Sequence, residues 1–396
     1  VTDTETASAT VVTSDPVLAV PPGQVDDPPV GNNRRPTWVV RPLVIFLVSR
    51  LVTLATLVVT AAISGESLHQ EIDRWDSKWW LRAAQFGWPT HLPVHDGHVA
   101  GSTVAFFPLF PLSVRWFADL TGASELTAGI IVTTVTGATA MVAVWALVRH
   151  YADRPTADRA TLLLALFPGS FVLSMVYSEG FALTFLALGM LALLQRRWVV
   201  AGLLGLLATA TTPIALAFEL SCLWCAWRAI SQERDWRSLA APVLAPLGFV
   251  AYQLWLWAHT GNLNAWRLTE RGGWKSYPSL VYPVTVVVHF VRDPVAVTKT
   301  GDLLFVGTVL AVLAAVVAIR SRLPMPVLLY GLGAGLLGLI SAPIGLRPRF
   351  IFLAFPLILA VGARVHGRAY QALVATSVVG LIALTAFSAC SWRIFP

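Results

Sequence analysis

Residues 74–88 read RWDSKWWLRAAQFGW, with three Trp and one Asp inside the six residues WDSKWW. Placed on a helix, Trp75, Trp79, Ala83 and Phe86 fall on one face of a 3.6-residue period, and Asp76, Lys78 and Arg82 point elsewhere. An aromatic stripe opposite a charged one suits a helix lying in the headgroup layer of a bilayer, because indole rings prefer that boundary. Such a helix holds Asp76 at a membrane surface, close to anything carried on a lipid. An interfacial anchor without chemistry would carry the same stripe.

The surrounding chain has 396 residues, of which 56% are apolar and 12% charged, and its mean hydropathy is +0.69. Soluble domains carry about 25% charge, so the composition is that of a polytopic, all-α membrane protein. The net charge of +7 is modest, and no basic cluster with interleaved aromatics offers a nucleic-acid surface. Three cysteines give no disulfide framework. Cys222 and Cys225 sit inside the apolar run LSCLWCAW and read as two small buried residues rather than a redox pair. Cys390 has no partner in sight.

Residues 1–35 are rich in Thr, Ser, Pro, Asp and Val, without periodicity and without the basic start and apolar core of a signal peptide. They predict a disordered cytoplasmic tail ahead of a membrane domain over 36–396. A span needs about 20 apolar residues. Apolar runs lie near 42–63, 125–149, 159–176, 180–195, 198–213, 214–230, 239–259, 301–320, 324–344, 349–364 and 370–388, which predicts eleven spans. Segment 103–121, TVAFFPLFPLSVRWFADLT, is apolar but short, and Pro108 and Pro111 interrupt a helical ladder.

Charge decides the role of that segment. With the amino terminus inside and 103–121 not crossing, every tight inner turn is basic. Arg149, Arg154 and Arg159 lie in the first of them, Arg196 and Arg197 in the second, and Arg228, Arg234 and Arg237 in the third. Arg320 and Arg322 lie in the fourth, and Arg364 and Arg368 in the fifth. The positive-inside rule asks for this arrangement, and a crossing by 103–121 would invert it. The segment is therefore expected to be re-entrant or to lie on the outer surface, with the carboxyl terminus outside. Two long outer connections follow, about 64–124 and about 260–300. The polar residues that turn chemistry does not explain gather on that outer side.

Asp76, amid Trp, is the better candidate for a general base; Asp73 and Arg74 look like a local surface pair. Glu179, in YSEGF, begins a helix, where it either meets the helix dipole or faces a substrate. Arg347 and Arg349, in GLRPRFIF, are outer-side arginines against the charge bias, and a lipid phosphate is their natural partner. The loop from His259 adds Arg267, Arg271 and Lys275 among Trp266, Trp274 and Tyr277, a mixture suited to a sugar phosphate. His91, His95, Asp96 and His98 share a loop with Pro and Gly that reads as solvated rather than as a metal site. Arg50, nine residues into the first span, is expected to face the bundle interior and to meet a partner or a carbonyl.

Four stretches together resemble one family: RWDSKWWLRAAQFGW at 74–88, AFFPLFPL at 105–112, LFPGSFVLSMVYSEGFALTFLALG at 166–189 and RPRFIFLAFPLILAVG at 347–362. They look like the PIG-V-type mannosyltransferases, a branch of the GT-C membrane glycosyltransferases, over residues 42–365, and the Ala/Arg/Val-rich chain looks like an actinobacterial member. The resemblance implies a multi-span enzyme with a GT-C-like helical first outer loop that supplies the catalytic carboxylate, matched here by Asp76. It implies a polyprenyl-phosphate sugar, usually mannose, as donor on the extracytoplasmic side of the cell membrane. Glu179 and Arg349 match further family positions, and Arg74 stands in the matching motif among the substrate contacts with Arg271, Lys275 and Arg347. The chain departs at Thr211-Thr212-Pro213, where relatives often read Thr-Arg-Pro. No metal site and no cofactor is expected. The reaction expected is inverting transfer of a hexose to a lipid-linked or glycan acceptor. The alternative is a transporter or flippase of a lipid-linked saccharide.

Overall fold

A computed structural model describes residues 37–292 and 300–390. The tail expected over 1–35 lies outside the described residues. Of the described helices, Val40–Ser64, Glu125–Tyr151, Pro213–Glu233 and Gly367–Ala389 are long and apolar enough to cross a membrane. Two bent pairs bring the number to six if each is one span: Arg154–Ala165 with Pro168–Ser174, bent by 76°, and Trp236–Leu244 with Leu247–Thr260, bent by 42°. Five further apolar helices have 10–17 residues, among them Glu179–Leu194, Trp198–Thr209 and Met325–Ile340. At 1.5 Å per residue, a twelve-residue helix such as Trp198–Thr209 rises about 18 Å, short of a hydrocarbon core about 30 Å thick. The apolar runs therefore fold as helices, and only part of the eleven expected spans have spanning length.

Prolines make the breaks. Phe167, ahead of Pro168, is extended (φ −58°, ψ 139°), as a residue before proline tends to be, and the helix has already ended at Ala165. At Thr212-Pro213 the chain again turns extended (φ −157°, ψ 142°) before restarting as a 3-10 segment. The main core lies among these helices, around Met141, Phe171, Leu186, Phe218, Phe352 and Phe355, all fully buried. Cys222 and Cys225 are buried free thiols within it.

The first long connection folds as a helical layer with a core of its own. Helix Asp76–Phe86 packs against helix Leu109–Thr121, which in turn packs on Glu125–Tyr151. Phe110, Val114 and Ala118 recur at i, i+4 and i+8 and meet Trp80 and Ala84. Pro108 and Pro111 do not interrupt this helix. They stand at its start, where backbone donors have no intrahelical partner. Its thirteen residues do not place it among the apolar helices of spanning character.

The decisive helix begins one residue later than its periodicity suggests. Trp75 lies outside it at φ 57°, ψ −126°, a conformation glycine adopts more readily, and its indole Nε1 donates to the Ser388 carbonyl at 2.9 Å. The buried face is Ser77, Trp80, Ala83 and Ala84, and Phe86 is 72% exposed. Asp76 is thereby the first helical residue.

The second long connection carries helix Ala265–Gly273, then a two-residue strand, Tyr277–Pro278, that pairs antiparallel with Ser341–Ala342. Ser279 N–H donates to the Ile340 carbonyl at 2.7 Å, and the Tyr282 hydroxyl to the Pro343 carbonyl at 2.7 Å. The connection is thus clipped to the stretch leading into Arg347 and Arg349. Gly272 and Gly273 lie so close to Val99 and Gly101 that a Cβ at either would collide with backbone. That approach seats the helix against the first connection.

Candidate active site

Three distant stretches of chain meet at Asp76. Its carboxylate accepts a charge-assisted hydrogen bond from Arg349 Nη1. The Asp76 side chain is 21% exposed and that of Arg349 14%, so the pair is sheltered but reachable. Asp76 N–H donates to the Tyr177 hydroxyl at 3.3 Å, which fixes the start of the helix. The position also favours a carboxylate, because unpaired N–H groups of a first helical turn carry partial positive charge.

Arg349 is held from three sides. Its guanidinium lies 5.7 Å from the centre of the Tyr177 ring and 4.8 Å from that of Phe350. The Pro348–Arg349 backbone rests on Gly169, where a Cβ would collide with the Pro348 carbonyl. Arg349 Nε is buried without a hydrogen-bond partner, so one edge of the planar fork is unused.

Glu179 begins helix Glu179–Leu194, is 6% exposed, and leaves Oε2 without a partner. Arg349 is the nearby cation and Asp76 the nearby acid. Arg347 joins the cluster electrostatically, with Arg349, Asp76 and Tyr282 as neighbours, and its Nε donates to the Ile344 carbonyl at 3.2 Å. Burial, with Arg349 alongside, lowers the Arg347 guanidinium to about 10, so it remains cationic at neutral pH.

Arg74 behaves otherwise. The surface pair with Asp73 gives way to a buried brace: Arg74 is 3% exposed and bridges Glu66 and Glu71, the latter at 3.0 Å. Ser64 also donates to Glu71, at 3.1 Å, so this network ties the end of the first helix to the residue beside Trp75. Burial raises the Glu71 carboxyl above its ordinary range, and Arg74 opposes the shift. Burial raises Asp73 likewise, against the pull of Lys78. Arg271 and Lys275 are exposed, at the end of helix Ala265–Gly273 and just beyond it. Among the described residues, no three His, Cys, Asp or Glu side chains are grouped as a metal site needs.

One acid escaped the sequence reading. Glu270, on helix Ala265–Gly273, is partly buried and faces the same cluster. Burial, and then the Asp76 charge, push its carboxyl up to about 8, with Arg349 opposing. The available signal was a lone acid among the cations of RLTERGGWK. Next to it, Trp274 meets Trp79 edge-on at 5.4 Å and Phe106 at 5.6 Å, which forms an aromatic wall between the two long connections.

No family model and no curated protein matches the sequence. Solved structures do. ArnT from Cupriavidus metallidurans bound to undecaprenyl phosphate is similar at 14% identity and a TM-score of 0.51, over 86% of this chain and 62% of that one. Its apo state gives 16% identity and 0.49, over 83% and 61%. The apo oligosaccharyltransferase of Archaeoglobus fulgidus gives 14% and 0.48, over 91% and 57%. The chain spans about three fifths of the length of these structures. At such identities the likeness is one of fold alone, shared with ArnT.

Proposed function

We propose that this chain is an inverting glycosyltransferase of the PIG-V type. It transfers mannose from a polyprenyl-phosphate donor to a lipid-linked or glycan acceptor on the extracytoplasmic side of the membrane. The observation that carries the reading is the Asp76–Arg349 pair, a candidate base and a candidate phosphate ligand in direct contact. The shared fold with a protein solved bound to undecaprenyl phosphate supports the lipid-phosphate donor. So does a small apolar cavity of about 140 Å³, lined by Ala315, Leu332, Leu339 and Leu346 among others. Leu346 directly precedes Arg347, so one wall of the cavity is continuous in sequence with the two arginines.

The chemistry follows from these positions. The acceptor hydroxyl attacks the anomeric carbon while its proton passes to the Asp76 carboxylate. The bond from that carbon to the phosphate oxygen breaks on the opposite face, and the oxygen leaves with the electron pair. Arg349 and Arg347 stabilise the growing charge. In the resting pair Asp76 is masked by Arg349. A donor phosphate competes for that guanidinium, so donor binding frees the base. Glu270, protonated at neutral pH, donates a hydrogen bond to a sugar hydroxyl without adding charge beside the leaving group.

Purified protein given polyprenyl-phosphate mannose and a lipid extract should yield a mannosylated lipid and free polyprenyl phosphate. Movement of the donor across vesicles without any transfer would instead identify a flippase.

A further inference from the structure

Arg50 lies in the middle of the first helix, Val40–Ser64, far in sequence from every group of the site. It donates to the Ser170 carbonyl at 2.6 Å, Ser174 Oγ at 3.1 Å, Ser170 Oγ at 2.9 Å, the Ala165 carbonyl at 3.2 Å and Ser49 Oγ at 3.3 Å. A guanidinium has five N–H donors, so these bonds use all of them. Four of the five go to the two helices that meet at the 76° break, Arg154–Ala165 and Pro168–Ser174, and the Ala165 carbonyl is at the break itself. Backbone freed at such a break needs partners inside a membrane, and an arginine among apolar helices needs acceptors. Each requirement satisfies the other.

The segment that Arg50 grips also carries the site. Gly169, next to Ser170, is the seat of the Pro348–Arg349 backbone. Three residues beyond Ser174, Tyr177 receives the Asp76 N–H and lies beneath the Arg349 guanidinium. Glu179 follows. We propose that Arg50 is a positioning residue: through Ser170 and Ser174 it fixes the strip 169–179, and through that strip the place of Arg349 opposite Asp76. This inference rests on the proposed phosphate role of Arg349. A fold-stabilising charge at a broken helix is the competing account.

The test uses Arg50→Lys in the full chain, with Ser174→Ala as a milder second variant that removes one acceptor. Lys keeps the charge but has three donors for five acceptors. Amide hydrogen exchange over 347–353 should quicken in both variants, while exchange over 198–209 stays as in the parent. The KM for polyprenyl-phosphate mannose should rise by roughly tenfold in Arg50→Lys, with the acceptor KM unchanged. The effect should be lost in an Arg349→Lys background, because residues acting through one contact are not additive. Unchanged exchange over 347–353 overturns the proposal, as does an effect that adds fully to Arg349→Lys. If the parent protein transfers no sugar, the functional reading fails, and the exchange measurement still decides the positioning.

Discussion

Arg349 closes on Asp76 across 273 residues of sequence. The contact joins the start of one short helix, Asp76–Phe86, to the start of another, Pro348–Leu353. A carboxylate held this way is a weak base until something takes the guanidinium away. Binding should therefore be ordered, with the donor first. Product-inhibition kinetics should show the acceptor binding only to the donor complex. Random order would mean that the pair does not open on donor binding.

Changing Asp76 to Asn should remove transfer almost wholly and leave the protein inserted and folded. A general base contributes typically about 10²–10⁴-fold in rate, and the amide cannot take the proton. Asp73→Asn should be milder, because Asp73 closes helix Leu68–Ile72 and lies outside the Asp76–Arg349 contact. An essential Asp73 beside a dispensable Asp76 would reverse the assignment of the base.

Glu270 should leave a mark in pH dependence. Its folded carboxyl stands at about 8, above its ordinary value of 4.5, because burial and Asp76 disfavour the charge. The folded state therefore holds a proton that the unfolded chain has released. The stability this gives is complete below about pH 4.5 and is lost as pH rises through about 8. Glu270→Gln, neutral throughout, should flatten that part of a Tm-against-pH curve. It should also keep most of the rate at pH 7 and lose the wild-type decline above pH 8. Parallel curves for the two proteins would place the Glu270 carboxyl in a more ordinary environment.

Topology can be read with single cysteines in a chain whose native cysteines are replaced by Ala. Exposed positions Gln85, Thr121 and Lys275 should be labelled by an impermeant reagent from outside the cell, and Arg197 only after permeabilisation. Labelling of Gln85 and Thr121 from opposite sides would mean that 103–121 crosses.

Asp76, Glu179 and Arg349 were legible in the sequence because each is a charge that local turn chemistry leaves unexplained. The apolar runs likewise foretold helices. What stayed hidden depends on distant partners. No local signal tells that a Trp will take a glycine-like backbone at position 75; the Ser388 carbonyl, in the last helix, holds its indole. Glu270 reaches the cluster only because Gly272 and Gly273 let its helix lie against Val99 and Gly101, and two glycines alone read as a loop. Arg74 looks like a surface cation until Glu66 and Glu71 fold back over it.

Arg349→Lys separates a phosphate ligand from an anchor. Lys keeps the charge but loses the planar fork that grips two oxygens at once. The fork here meets Asp76 through Nη1, and its Nε–H points to the other side of the guanidinium. If the donor phosphate takes the Nη1–Nη2 edge from Asp76, the Lys variant binds donor more weakly and stabilises the leaving phosphate less well. Both losses lower the rate at low donor concentration, and only the second survives saturation. The expected outcome is a raised donor KM together with a reduced kcat, and a larger loss of both in Arg349→Ala. If Arg349 only meets headgroups, Lys should replace it with little change, since exposed charges exchange easily. Wild-type kinetics in both variants would remove Arg349 from the site and leave Arg347 or Lys275 as the group that meets the phosphate.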